Sequence, residues 1–252
     1  MTRRSFVRWT LRAAALLAGV GAWEYAVGPG GVSPLILPTI PSVAAQFVAA
    51  VADPSTWSNL AVTVGEFASS FAIATSLGVL VGFLGSRSRL RSLALDPMLS
   101  WGYMAPIELL FPVFTLWFGV GVMSKILFAS LAGFFPIAIN TLKGLANVRE
   151  GYVRTGRAFG ATPLQLEYDV KLPAGAPLVL SGIRIGAALA MINVILGEML
   201  SSESGLGYKL AEASQTLDSA RALALILILI ILVTVPQAAL TRLTDRQRWN
   251  RR

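Results

Sequence analysis

The chain has no cysteine and no histidine among its 252 residues. Without thiols there are no disulfides, no Cys nucleophile and no thiolate metal site. Without imidazole, the usual general base at neutral pH and the commonest transition-metal ligand are missing too. Charge is also scarce: Asp, Glu, Lys and Arg make up 13% of the chain, where soluble domains carry about 25%. Apolar residues take their place, at 55% of the total, and the mean hydropathy is +0.67. These figures put the chain among polytopic membrane proteins, with an all-α fold expected.

Six apolar stretches come near the ~20 residues needed to cross about 30 Å of hydrocarbon. They are residues 11–27, 62–84, 98–118, 126–142, 178–200 and 222–240, the third interrupted by Pro106, Glu108 and Pro112. Lysine and arginine in the connections set the orientation. One side collects Arg3, Arg4, Arg8 and Arg12, then Arg87, Arg89 and Arg91, then Lys143, Arg149, Arg154, Arg157 and Lys171, and finally the basic C-terminal residues. The other side keeps only Lys125, Lys209 and Arg221. The split is self-consistent with both termini cytoplasmic in a cell (inner or plasma) membrane, so the net charge of +8 reflects topology in a lipid bilayer and not nucleic-acid binding.

Four regions follow. Residues 1–27 are a basic flank and first span, and the flank's Arg3-Arg4 pair, which looks like a twin-arginine signal, lacks a small-x-small cleavage site downstream. Residues 28–60 are an external loop with a short amphipathic helix, capped by Ser42 and carrying Val43, Phe47, Val48 and Val51. Residues 61–243 are the membrane core, containing a long polar loop at 147–175, and residues 244–252 are a basic tail.

The 147–175 loop is the longest polar segment on the basic side, between the fourth and fifth spans. Helical spacing predicts a helix over 147–159, ended by Gly160 in the left-handed region. Thr162-Pro163-Leu164-Gln165 is a capping box with Pro at the first helical position, a strong start for a second helix. That helix should run over 163–170 and stop before Pro173. A solvated hairpin is one reading. A docking element for a cytoplasmic partner is the other, because Leu164, Leu166 and Tyr168 fit poorly as solvated residues on so short a helix.

Catalytic machinery is not apparent: Gly119-Val120-Gly121-Val122-Met123-Ser124-Lys125 lacks the second Gly and the hydroxyl of a P-loop. An ionised acid at mid-bilayer costs on the order of 2.5–3.5 kcal/mol, so buried polar residues are marked positions. Glu108, Asn193 and Glu198 are candidates for a translocation path, with packing or gate contacts favoured for Glu198 and for Glu66. Small residues at Ser69, Ser70, Ala74 and Gly78, and at Gly182, Gly186 and Ala190, predict close helix approach. The run Leu225–Leu232 is apolar all round and reads as lipid-facing.

Gly160, nine residues, then Val170-Lys171-Leu172-Pro173 resembles the cytoplasmic loop signature of ABC-transporter permeases, E-A-A-x-x-x-G-x9-I-x-L-P. Leu116-Trp117-Phe118-Gly119, Phe134-Phe135-Pro136, Gly197-Glu198-Met199 and Gly205-Leu206-Gly207-Tyr208 add to a likeness with the nitrate/sulfonate/taurine (and bicarbonate) branch of binding-protein-dependent importers. The resemblance implies a permease subunit that pairs with a second copy, takes solute from an external binding protein, and binds no cofactor itself. ATP and Mg belong to a separate cytoplasmic ATPase dimer. It also implies that Gly160, Ala161, Thr162, Pro163 and Leu164, continuing through Gln165, Leu166, Glu167 and Tyr168, form the ATPase-coupling element. Leu172 and Pro173 then return the chain to the membrane.

Two departures stand out. Arg154-Thr155-Gly156 replaces E-A-A, exchanging an acid for a base, and Glu108 stands in a span where relatives tend to have a second Pro. A Glu on the path disfavours an anionic solute. A neutral or cationic heterocycle such as a vitamin-precursor pyrimidine is therefore the alternative cargo, and a secondary transporter is the alternative class.

Overall fold

The computed structural model describes residues 3–249; the first two residues of the basic flank and the last three of the tail lie outside them. Among the described residues the chain is helical, with no strand. It divides into two compact units: residues up to Trp57 together with Lys209–Leu229, and Ser58–Tyr208 together with the residues from Ile230 onward.

In the first unit, α1 (Arg3–Val27) precedes a turn and α2 (Ile40–Ala52). The indole of Trp23 donates to the Pro38 carbonyl at 2.8 Å. The cap of α2 is Thr39, not Ser42 as expected: Thr39 Oγ1 accepts from the Ser42 amide at 3.3 Å, and the Ser42 hydroxyl donates back to Thr39 O at 2.7 Å. Pro41 explains the difference, since a residue without an N–H fits the first turn and pushes the capping position one step before Ile40. Val43 is buried, whereas Val48 and Val51 of the expected apolar face are exposed. Asp53 ends α2 and opens α3 (Pro54–Ser86), accepting from the Ser55 amide at 2.8 Å and the Ser55 hydroxyl at 2.5 Å. Those two bonds, the hydroxyl first, hold its carboxyl below the usual Asp value, with Lys209 and Arg221 assisting against a small burial effect.

The second unit continues with α4 (Arg89–Met104), a 3-10 turn (Ile107–Leu110), α5 (Phe111–Phe118) and α6 (Val122–Ala146). Next come α7 (Glu150–Ala158), α8 (Pro163–Gln165), a π-helical turn (Leu166–Lys171) and α9 (Leu172–Leu200). The last helices, α10 (Leu206–Gln215) and α11 (Ser219–Trp249), complete the chain. Pro54–Ser86, Val122–Ala146 and the unbroken run Pro163–Leu200 are long and apolar enough to cross a membrane. Arg89–Met104 and Ile107–Phe118 make a fourth crossing if the pair, bent by 77°, is one span. Length and composition thus support three or four crossings, against the six expected. Residues 11–27 are helical within α1, but Arg12 and Glu24 dilute that helix, and the apolar part of α11 is the shorter Ser219–Thr234.

The 77° bend has a local cause. Pro106 supplies no N–H, and its ring drives the preceding Ala105 out of the helical region, to φ −64°, ψ 137°. The chain restarts in the 3-10 turn, and Ile107 and Phe111 pack with Phe128 and Ala132 of α6. The rings of Phe111 and Phe128 meet edge-on at 5.0 Å.

α6 and α9 form the spine, and glycine lets their backbones touch. A Cβ at Gly175 would lie 2.6 Å from the Gly144 carbonyl oxygen, and one at Gly186 would lie 2.7 Å from that of Gly133. The expected small-residue faces are the ones used: Gly182, Gly186 and Ala190 are buried in α9. On α3, Ser70, Ala74, Gly78 and Gly82 are buried while Ser69 is exposed. Such faces replace hydrophobic driving force with close van der Waals packing where the solvent is lipid. The run Leu225–Leu232 of α11 is apolar all round, yet one stripe of this part of the helix is covered: Ala224, Leu225 and Leu229 are buried while Leu227 and Ile230 are exposed.

Candidate functional site

The polar loop is built from two helix ends and one left-handed residue. α6 closes at Asn147, whose N–H reaches Lys143 O, and Arg149 leaves the helical region at φ −52°, ψ 126°, so α7 begins at Glu150 and not at 147 as expected. The Gly160 φ of +80° turns the chain, as its sequence position predicts. Its amide bonds Arg157 O at 2.9 Å, and the Ala161 amide bonds Gly156 O at 3.0 Å. The capping box forms in full: Thr162 Oγ1 accepts from the Gln165 amide at 3.3 Å, and Gln165 Oε1 accepts from the Thr162 amide at 2.8 Å.

The second helix does not stop before Pro173. It widens into the π-helical turn, with the Leu172 amide bonding Glu167 O five residues back, and runs straight into α9. A proline has no amide to offer and its ring needs room at the preceding carbonyls. The extra residue in a π turn provides that room. Glu167 and Lys171 face each other at 2.6 Å across this turn.

The flanking apolar side chains divide. Leu166 is buried against Gly156, where a Cβ would come within 2.8 Å of the Leu166 methyl. Leu164 is exposed, Phe159 is 87% exposed, and Tyr168 is half exposed with its ring 5.9 Å from that of Phe83. Beside them, Tyr152, Gly156, Phe159, Asp169, Val170 and Pro173 line a groove of about 480 Å³. Arg154, in the place of the signature acid, turns back along its own helix and binds Glu150 at 2.8 Å.

A second constellation lies at the far end of α9. Lys125 Nζ is 2.5 Å from Glu66 Oε1, with side-chain exposures of 1% and 2%, and it donates to the Ser202 hydroxyl at 2.8 Å. Glu198 is fully enclosed. Its carboxylate accepts from the Thr63 hydroxyl at 2.8 Å and from the Gly207 amide at 2.8 Å. Thr63 in turn accepts from the Leu206 amide at 2.9 Å, and Asn59 accepts from the Gly205 amide at 2.6 Å. Glu66 and Glu198, for which the sequence favours packing or gate contacts over ligand contact, are both enclosed by protein groups.

Lys125 corrects a sequence expectation. In the sequence it reads as one of the basic residues of the connections, but it lies in the first turn of α6 and is enclosed. Asn59 and Thr63 were not anticipated. Their spacing from Glu66, at i, i+4 and i+7, puts all three on one helix face, and that pattern was the available signal.

The three path candidates are not gathered together. Glu108 is exposed in the 3-10 turn at the 77° bend. Asn193 is buried, and its amide nitrogen donates to Leu189 O within its own helix at 2.9 Å. Glu198 belongs to the enclosed cluster.

Spanning helices packed on glycine, tied at one end by buried charge and carrying a capped polar loop at the other, make a polytopic membrane protein. The chain belongs to the family described as binding-protein-dependent transport system inner membrane component, which it matches over residues 74–249, and it is a permease subunit of an ABC importer. It is 32% identical over 196 residues to the putative aliphatic sulfonates transport permease protein SsuC of Bacillus subtilis, covering 78% of this chain and 71% of that one. It is 34% identical over 152 residues to the formylaminopyrimidine transport permease protein ThiX of Halalkalibacterium halodurans, covering 60% and 61%. Its fold resembles a chain of the MetNI methionine ABC transporter in inward facing conformations. The TM-score is 0.61 at 21% identity, over 77% of this chain and 94% of that one. At that identity the likeness is one of fold.

Proposed function

We propose that this permease subunit carries a small sulfonate- or taurine-like anion inward, driven through the 160–173 loop by a separate cytoplasmic ATPase. The observation that carries the cargo assignment is the 32% identity, over most of both chains, to a protein named for aliphatic sulfonates. The observation that supports the coupling role is local: a left-handed glycine, a complete capping box and a π turn fix Leu164 and Tyr168 as exposed apolar side chains beside an open groove. ATP and Mg reside on the ATPase dimer and the solute arrives from an external binding protein. A second copy of this chain completes the path, and both termini are cytoplasmic. In this reading Glu108, exposed at the bend, lines the path, and the enclosed Asn193 and Glu198 act on the helices that form it.

A heterocyclic cargo is the second reading. The 34% identity to a formylaminopyrimidine permease favours it, and so does an exposed carboxylate at a helix break, which repels an anion. Vesicles holding this chain, its ATPase and its binding protein decide between them. ATP-dependent uptake of labelled taurine or an alkanesulfonate supports the first reading. Uptake of a formylaminopyrimidine with no sulfonate uptake overturns it in favour of the second.

A further inference from the structure

We infer that Glu198 and Thr63, with the Lys125–Glu66 pair beside them, form a latch on the external side of the permease, and that α9 works this latch directly from the coupling turn. The inference rests on the coupling role proposed above for the 160–173 loop. Three observations lead to it.

The first is continuity. Pro163–Leu200 is one helical run of 38 residues, about 57 Å long at 1.5 Å per residue. No loop separates the Thr162 capping box at one end from Glu198 at the other. A push on the first turn therefore reaches Glu198 through backbone hydrogen bonds alone.

The second is the bearing surface. α9 meets α6 where glycine faces carbonyl, at Gly175 against Gly144 and at Gly186 against Gly133. Ile137 and Asn140 of α6 seat against Gly186 and Gly182 in the same seam, so α9 can shift along α6 only by small steps. Small sliding of packed helices is a recognised mode of conformational change.

The third is how the cluster is wired. Glu198 of α9 holds Thr63 of α3 and the Gly207 amide in the first turn of α10. Lys125 of α6 holds Glu66 of α3 and Ser202 just past α9. Glu198–Thr63 and Lys125–Ser202 join α9, or the residue just past it, to α3 and α6, so sliding α9 loads both, and the Lys125–Glu66 pair ties α6 to α3 beside them. A buried charge pair is poor value as a staple, because well-packed apolar residues of similar volume often do as well or better. It suits a two-state contact, since charges released on the external side are rehydrated by water.

The test uses the complete transporter in vesicles and measures ATP hydrolysis with and without loaded binding protein. Glu198→Gln and Thr63→Val weaken the latch. In each, basal hydrolysis is expected to rise several-fold toward the stimulated level, so that the stimulation ratio falls toward one while membrane abundance stays normal. Thr63→Ser, which keeps the hydroxyl, preserves the ratio. A parental ratio in both weakened variants overturns the inference, as does failure of both to accumulate, which would mark the cluster as a structural staple. Gly160→Val run in parallel separates the two claims. If it alone disrupts stimulation, coupling stands and the latch falls. If it leaves stimulation normal, the coupling role itself is wrong.

Discussion

Lys125 and Glu66 form an ion pair of 2.5 Å with 1% and 2% of their side chains exposed, joining the first turn of α6 to α3. Each charge depends on the other, because neither has water to turn to.

Removing one partner strands the other. Lys125→Met is expected to destabilise the protein by about 3–5 kcal/mol, whereas Lys125→Met combined with Glu66→Gln recovers most of that loss. Heating detergent-solubilised protein and following the monodisperse fraction by size exclusion measures both. Equal loss in the single and double variants would show that the pair is not an interacting unit.

Gly160 sits at φ +80°, where a side chain costs roughly 1–2 kcal/mol and a β-branched one is a true outlier. A Cβ there meets nothing within 4 Å, so the effect of Gly160→Val is purely a backbone effect. Normal abundance with lost substrate-stimulated ATP hydrolysis is the expected outcome in reconstituted complexes. Gly160→Ala should be milder.

The α6–α9 seam gives the sharpest steric contrast. Gly175→Leu drives a side chain into the Gly144 carbonyl, 2.6 Å from where its Cβ must stand, and should abolish accumulation of folded protein. Gly151→Ala, with nothing within 4 Å, should be tolerated or stabilise α7 by up to about 1 kcal/mol. Fluorescence-detected size exclusion of tagged variants reads both.

Arg154 and Glu150 are 73% and 74% exposed. Exposed i,i+4 pairs are worth about 0.3–0.5 kcal/mol, so Arg154→Ala should leave thermal stability almost unchanged. A change in stimulated ATP hydrolysis at unchanged stability would then place Arg154 at the ATPase contact.

Features set by local chemistry were legible in the sequence. Gly160 and the Thr162–Gln165 box were readable because a left-handed residue and a reciprocal cap each need only four or five adjacent residues. The small-residue faces at Ala74, Gly78, Gly182 and Gly186 were readable because lipid makes close approach their default use. Features set by long-range partners were not legible. Lys125 read as a connection charge, because its burial depends on Glu66 and Ser202, 59 and 77 positions away. Pro173 read as a stop, because nothing in the residue types announces a π turn. Ser42 read as the cap of α2, and Pro41 in the first turn moves the capping position to Thr39. Length and composition mark fewer spans than the six read from the sequence where charge thins the apolar pattern, in α1, and the bend at Pro106 was visible only as an interruption.

The uninterrupted run from Pro163 to Leu200 also constrains which lengths natural selection can tolerate. Adding one residue within it would rotate everything beyond by about 100° and advance it by 1.5 Å, swinging Glu198 away from Thr63 or the capped turn away from its docking azimuth. Insertions and deletions should therefore accumulate in the turn between α1 and α2, where no such phase must be kept. The one place along the rod able to absorb an odd residue is the π turn, where the helix already carries one more per revolution than it needs.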